Sequence, residues 1–167
     1  MSVSEHKANA PSRVSCFVVT VSDTRTLETE TSGRAIAEML EMHGHDVAGR
    51  VVVRDEPADV ARVVREALAR ADVDAIITTG GTGIARRDST YEALTALFEK
   101  RLDGFGEFFR ALSFEDIGPA AMLSRACAGV ISGRVIFLLP GSEAAVRLAM
   151  RRLILPELPH IVRELRK

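Results

Sequence analysis

The sequence predicts an α/β fold, a three-layer α/β/α arrangement whose mainly parallel sheet carries helices on both faces. Three observations lead there. Continuous apolar runs of strand length recur along the chain. Each is followed by a segment with helical periodicity. The turns between them mix glycine, proline, serine and aspartate, as strand-to-helix turns do.

The first run, VSCFVVTVS (14–22), lacks polar alternation and reads as a strand buried on both faces, with a helical pattern following near 32–43. HDVAGRVVV (45–53) is a second strand. PADVARVVREALARA (57–71) then sets Val60, Val63, Val64, Ala67 and Leu68 on one helical face, with Pro57 suited to its first turn. DAIITT (74–79) is a third buried strand and TYEALTALFEK (90–100) a helix. FGEFFRAL (105–112) repeats an apolar stripe through Phe105, Phe108, Phe109 and Leu112, and Gly118–Pro119 breaks it. CAGVIS and RVIFLLP flank the turn SGR as a hairpin, which adds one antiparallel strand, and helices follow near 142–153 and 156–166.

At 167 residues the chain suits one domain with a real core, 47% hydrophobic and 27% charged. Residues 1–12 are polar, lack the apolar segment of a secretory signal and read as a flexible tail, so the domain is placed at 13–167. A net charge of -1 gives no reason to expect nucleic acid or an acidic membrane as partner. The longest apolar runs, such as VIFLLP, fall far short of the roughly 18 residues that a membrane helix needs. Cys16 and Cys127 both lie among apolar residues, which reads as reduced buried thiols and a cytoplasmic protein, with pairing of the two as the alternative.

In open sheets of this kind ligands bind beyond the carboxyl ends of the strands. Four turns qualify: SDTRT, RDEP, GGTGIARRDST and PGSEA. In the third, Gly80, Gly81 and Gly83 open backbone conformations closed to other residues and let an oxygen-rich ligand approach the amides. Ser89 and Glu92 have capping-box spacing at the start of the next helix. The P-loop signature is absent, because no Lys-Ser/Thr follows the glycines. Arg86 stands where a dinucleotide-binding turn has its third glycine. What remains is a phosphate-bearing ligand of another kind.

A carboxylate beside a phosphate site would repel it unless a divalent cation intervenes, and Mg²⁺ takes one or two carboxylates plus phosphate oxygens and water. Asp88 is therefore a candidate metal anchor; serving the helix dipole and pairing with Arg86 or Arg87 is the competing role. Asp55, two residues before Pro57, divides in the same way between helix capping and the pocket. His43 suits a helix's last turn ended by Gly44, and a metal site at His43 and His45 is the less favoured alternative. No nucleophilic triad is apparent.

TTGGTG…RDST, preceded by VSD and RDE and followed by DGFGE, LSRA and LPGS, resembles the MoaB/MogA family of molybdenum-cofactor biosynthesis proteins. The likeness spans roughly 14–155, and GFGEFFRALSFEDIGPAAMLSRACAGV is similar to the MoaB branch. The resemblance implies the molybdopterin-binding MogA-like fold, assembled as a homotrimer or hexamer and working with other molybdenum-cofactor pathway proteins. It implies transfer of AMP from Mg-ATP to molybdopterin with release of pyrophosphate. The alternative within the family is a non-catalytic molybdopterin-binding or delivery protein. Carried onto this sequence, it makes Asp55 and Asp88 the catalytic and Mg²⁺-associated residues. Ser22, Asp23, Thr78, Thr79, Gly80, Gly81, Thr82, Gly83, Ser124, Pro140, Gly141 and Ser142 become the pterin- and nucleotide-binding positions. The loop TRTLETETS (24–32) has no assigned role.

Overall fold

A computed structural model of the chain describes residues 2–167. Six strands form one sheet: β1 (Ser15–Val21), β2 (Asp46–Val53), β3 (Ala75–Thr79), β4 (Lys100–Arg101), β5 (Cys127–Ile131) and β6 (Arg134–Leu139). Their spatial order is β2-β1-β3-β6-β5-β4. β2, β1, β3 and β6 are mutually parallel, and β5 alone runs against its neighbours. This is the expected mixed sheet with one antiparallel strand. The chain passes from β1 to β2 on one side and returns with β3 on the other, so the topological switch point lies between β1 and β3.

Alternate side chains of the central strands feed two cores. Val18, Ile77 and Phe137 face helices α2 (Ser32–Met42), α5 (Asp103–Ile117), α6 (Glu143–Ala149) and α7 (Leu155–Leu165). Val19, Ile76 and Ile136 face α3 (Pro57–Leu68) and α4 (Thr90–Thr95). Continuous apolar strands are what a sheet covered on both sides requires. All five residues expected on the buried face of α3 lie there.

Four elements differ from expectation. The first dozen residues, expected as a flexible tail, include a short helix, α1 (Val3–Ala8), and Lys7 pairs with Glu157 of α7; Met1 lies outside the described residues. The helix expected over 90–100 stops at Thr95. Glu99 N donates to Val130 O and Leu102 N to Ala128 O, pulling Lys100–Arg101 into the sheet as β4. Pairing with a distant strand overrides local helical pattern there. On α5, Phe109 is buried and packs near Phe105, whose ring meets Phe137 edge-on at 5.2 Å, while Phe108 turns outward and is 65% exposed. The two C-terminal helices join through a π turn, Met150–Ile154, just ahead of Pro156. A widened turn tolerates the missing proline N–H.

The hairpin turn is built as its residues demand. Ser132 and Gly133 both take positive φ, 50° and 72°, the two-residue geometry that matches strand twist. Cys16 and Cys127 are both buried and unpaired.

His45 supplies a pH dependence. It is buried, and its Nδ1 accepts from Val14 N at 3.3 Å, a contact only the neutral tautomer makes. Burial, followed by the neighbouring His43, lowers its pKa below the ordinary 6.5. The unfolded chain therefore binds the extra proton more readily, and stability present above pH 6.5 is lost as the pH falls toward the lowered folded value. The urea midpoint of the wild type should fall between pH 7 and pH 5 by more than that of His45→Gln; parallel curves would remove His45 as the cause.

Candidate functional site

A cavity of about 770 Å³ opens at the carboxyl ends of β1, β3 and β6. It is built first by the backbone. β3 leaves the sheet through Gly80 and Gly81, with φ of 95° and 70°. A Cβ on Gly80 would stand 2.2 Å from Val21 O, and one on Gly81 would stand 2.1 Å from Thr90 Oγ1 and 2.9 Å from Asp55 Oδ2. Only glycine fits at either position. Gly80 N donates to Leu139 O and Thr90 N to Gly81 O, so the loop is fixed to both β6 and α4.

Most of the expected residues meet at this cavity. Ser22, Thr79, Gly80, Gly81, Thr82, Gly83, Asp88, Ser124, Pro140, Gly141 and Ser142 all line it. Thr79 Oγ1 donates to Pro140 O at 2.8 Å, tying the third and last turns together. Ser142 caps α6 by accepting from Ala145 N, and Ser22 Oγ accepts from Arg25 N at 3.1 Å.

Three expected residues lie outside the lining. Thr78 is fully buried, and among the described residues its Oγ1 is the buried side-chain polar atom without a partner. Asp23 sits on the rim, where the Arg87 guanidinium takes both its oxygens at 2.8 and 3.0 Å and holds its carboxyl below the usual carboxylate range. Arg87 also pairs with Glu56 at 2.8 Å, so it bridges the first two turns instead of pairing with Asp88.

Asp55, the third, is buried behind Gly81. Its Oδ1 accepts from Ser89 Oγ at 2.8 Å, Ser89 N at 3.2 Å and Thr90 Oγ1 at 3.3 Å, while its own N donates to Asp23 Oδ1. It therefore caps α4, not the helix that follows it in sequence. The expected Ser89–Glu92 capping box does not form: the Ser89 hydroxyl is given to Asp55 and Glu92 pairs with Arg125.

Asp88 has the opposite character. Its Oδ2 accepts from Ala85 N at 3.0 Å and lies where a Gly83 Cβ would stand, 2.5 Å away. The other lining carboxylates have cations: Glu30 pairs with Arg50 at 3.0 Å and Glu143 with Arg147 at 2.8 Å. Asp88 makes no ion pair among the described residues. No group of three or more His, Cys, Asp or Glu among them could hold a metal by protein ligands alone. A cation held chiefly by substrate phosphates needs only one or two carboxylates, and Asp88 fits that need as a hard oxygen donor facing the cavity.

Known proteins match the chain over most of its length. The family described as "Probable molybdopterin binding domain" matches residues 17–160. The chain belongs to this family, the MoaB/MogA family of molybdenum-cofactor biosynthesis proteins. It is 54% identical over 168 residues to "Molybdenum cofactor biosynthesis protein B" of Bacillus subtilis, covering 100% of this chain and 99% of that protein. The protein of that name from Halalkalibacterium halodurans is 53% identical with the same coverage. A crystal structure of molybdenum cofactor biosynthesis protein B superposes with a TM-score of 0.91 at 50% identity, covering 95% of this chain and 99% of that one. The tungsten cofactor synthesizing protein MoaB from Pyrococcus furiosus gives 0.85 at 38% identity, covering 95% and 100%.

Two further residues shape the site without any local signal in the sequence. Glu30 lies within the loop 24–32, is 2% exposed, and accepts from Thr20 Oγ1 at 3.1 Å and Gly33 N at 2.7 Å. Arg125 holds the glycine loop, donating from Nε to Thr82 O at 3.0 Å and from Nη2 to Gly83 O, with Glu92 on its far side. Lysine keeps the charge and loses the fork. Arg125→Lys should cost about 1 kcal/mol of stability and raise amide hydrogen exchange across residues 80–88; unchanged exchange there would remove Arg125 as the clamp.

Proposed function

We propose that the chain is a Mg-ATP-dependent molybdopterin adenylyltransferase, acting in molybdenum-cofactor biosynthesis. The observation that carries the reading is Asp88, the lining carboxylate without a cation, set against a glycine loop whose backbone stands open to phosphate oxygens. The cavity lining also includes the apolar Phe109, Ile117 and Leu123, which offer a planar ring system apolar surface. A ligand with both a ring and a phosphate fits that lining. Relatives carry both molybdenum and tungsten in their names, which supports recognition of an organic ligand common to both.

In the proposed reaction an oxygen of the pterin's terminal phosphate forms a bond to the α-phosphorus of ATP. The bond from that phosphorus to the bridging oxygen breaks, and pyrophosphate leaves. The chain's contribution is alignment and electrostatics. Gly80, Gly81 and Gly83 admit the phosphates, Thr82 and Ser142 offer hydroxyls, and Asp88 holds Mg²⁺, which when bound neutralises charge on the triphosphate. Asp55 acts behind the loop, keeping the start of α4 against Gly81.

A second reading is favoured by one observation: Asp55, the other expected metal carboxylate, is turned into the fold. On that reading the chain binds or delivers molybdopterin without catalysis. Self-association into a trimer or hexamer belongs to either reading and is supported by the apolar surface of Phe108, Phe114 and Met122, 65%, 58% and 76% exposed.

An anaerobic single-turnover assay with molybdopterin and Mg-ATP separates them. The enzyme yields adenylylated pterin and stoichiometric pyrophosphate, and Asp88→Asn, folded and still binding pterin, loses on the order of 10²-fold in rate. Pterin binding without pyrophosphate would leave the delivery reading, and an unchanged rate in Asp88→Asn would end the role of Asp88.

A further inference from the structure

A second, smaller cavity of about 250 Å³ lies beside the large one, at the start of β5. Three guanidiniums converge on it from separate elements: Arg101 from β4, Arg110 from α5 and Arg125 from the segment ahead of β5. Each is held. Arg125 stacks on the Tyr91 ring at 4.5 Å from its centroid, and Arg101 Nη2 donates to the Tyr91 hydroxyl at 3.1 Å. Arg110 Nη1 donates to Ala126 O at 3.1 Å. The Cys127 thiol on the lining senses all three: burial pushes it up to about 11 while each arginine pulls it down.

Their charge is only partly cancelled within the fold, although Asp103 lines the cavity with them. Glu92 pairs with Arg125, and Asp103 stands 3.4 Å from Arg101 at an exposed position. Arg110 makes no ion pair among the described residues. Gathering like charges around one partly dehydrated hollow costs free energy that an anion would relieve. Arg125 spends its fork on Thr82 O, Gly83 O and Glu92, so the N–H groups left to meet the oxygens of a tetrahedral oxyanion are those of Arg110 and Arg101. The volume is below the roughly 300–1,000 Å³ of sites for drug-sized ligands, which leaves room for a phosphate or pyrophosphate group and not for a nucleoside.

We infer that this arginine-lined cavity is a binding site for a phosphate-class oxyanion. The inference goes beyond the adenylyl-transfer reading and stands without it. Ser124 and Arg125 line both cavities, so the oxyanion has two sources: a free anion, or a phosphate group reaching across from a ligand in the large cavity.

The test is calorimetric titration of the full-length protein with inorganic phosphate, at an ionic strength held constant with chloride so that general salt effects cancel. The wild type should bind saturably. Arg110→Gln should bind about tenfold more weakly, the loss expected from one charge-assisted contact. Arg101→Gln, at the exposed rim, should weaken binding in the same direction and keeps the test valid if Arg110→Gln fails to fold. Repeating the titration with ATP present separates the sources: retained phosphate binding identifies a free anion, and abolished binding identifies the phosphate group of the neighbouring ligand. The titration with phosphate alone involves no turnover, so failure of the enzymatic reading leaves this result intact. Absence of saturable binding, or equal affinity in wild type and both arginine variants, would overturn the inference.

Discussion

The close passage of the β3 exit across the end of β1 governs the site. Val21 O occupies the place a Gly80 side chain would need, and Asp55 with Thr90 occupies the place of one on Gly81. Because Gly80 N also continues the ladder to Leu139 O, the ends of β1, β3 and β6 are held level, and the floor of the cavity is backbone. Any side chain here would push α4 away or force β1 and β3 apart. The positive φ angles are a second, independent reason for glycine at the same two positions. The switch point supplies a crevice in any sheet of this order; the glycines make its floor accessible to oxygen atoms.

On this floor the charges serve placement more than stability. Arg87 links the first two turns through Asp23 and Glu56 at a position more than half exposed, where water and salt screen such pairs. Glu30 is different. Its carboxylate is nearly dry, and it is acceptable there only because Arg50, Thr20 and Gly33 N satisfy it together. It thereby fixes the loop 24–32 against the start of α2, one wall of the cavity. Arg125 performs the matching task on the opposite wall, holding two carbonyls of the glycine loop that have no helix or strand partner of their own.

Much of this was legible in the sequence because it depends on local rules. Apolar runs marked the four parallel strands, the stripe on α3 marked its buried face, and SGR marked a two-residue turn. The glycine loop could be read because steric freedom belongs to the residue itself. What could not be read depends on partners distant in sequence. β4 exists because Glu99 and Leu102 find β5, and nothing within TYEALTALFEK signals that. Glu30 is about twenty residues from Arg50, and Arg125 more than forty from Thr82. A charged residue in a turn looks the same in sequence whether it is solvated or locked into a network, so neither is marked by its neighbours. Ser89 and Glu92 had the spacing of a capping box and lost it because better partners stood nearby, Asp55 for one and Arg125 for the other.

The two aspartates show where residue identity informs on chemistry. Asp55 has a clear part in the fold: its Oδ1 satisfies the amide and hydroxyl groups that open α4, and its backbone is tied to Asp23. A protein with this fold and no catalytic activity would gain the same capping from it. The presence of Asp55 therefore does not distinguish an adenylyltransferase from a pterin-delivery protein. The Asp88 side chain accepts one bond from the backbone of its own loop and faces the cavity with no cation among the described residues to neutralise it. A carboxylate in that position works against an unaccompanied phosphate, and on the proposed reading its cost is offset by a cation that arrives with the ligand. Between the two, Asp88 is the position at which selection for chemistry would be visible.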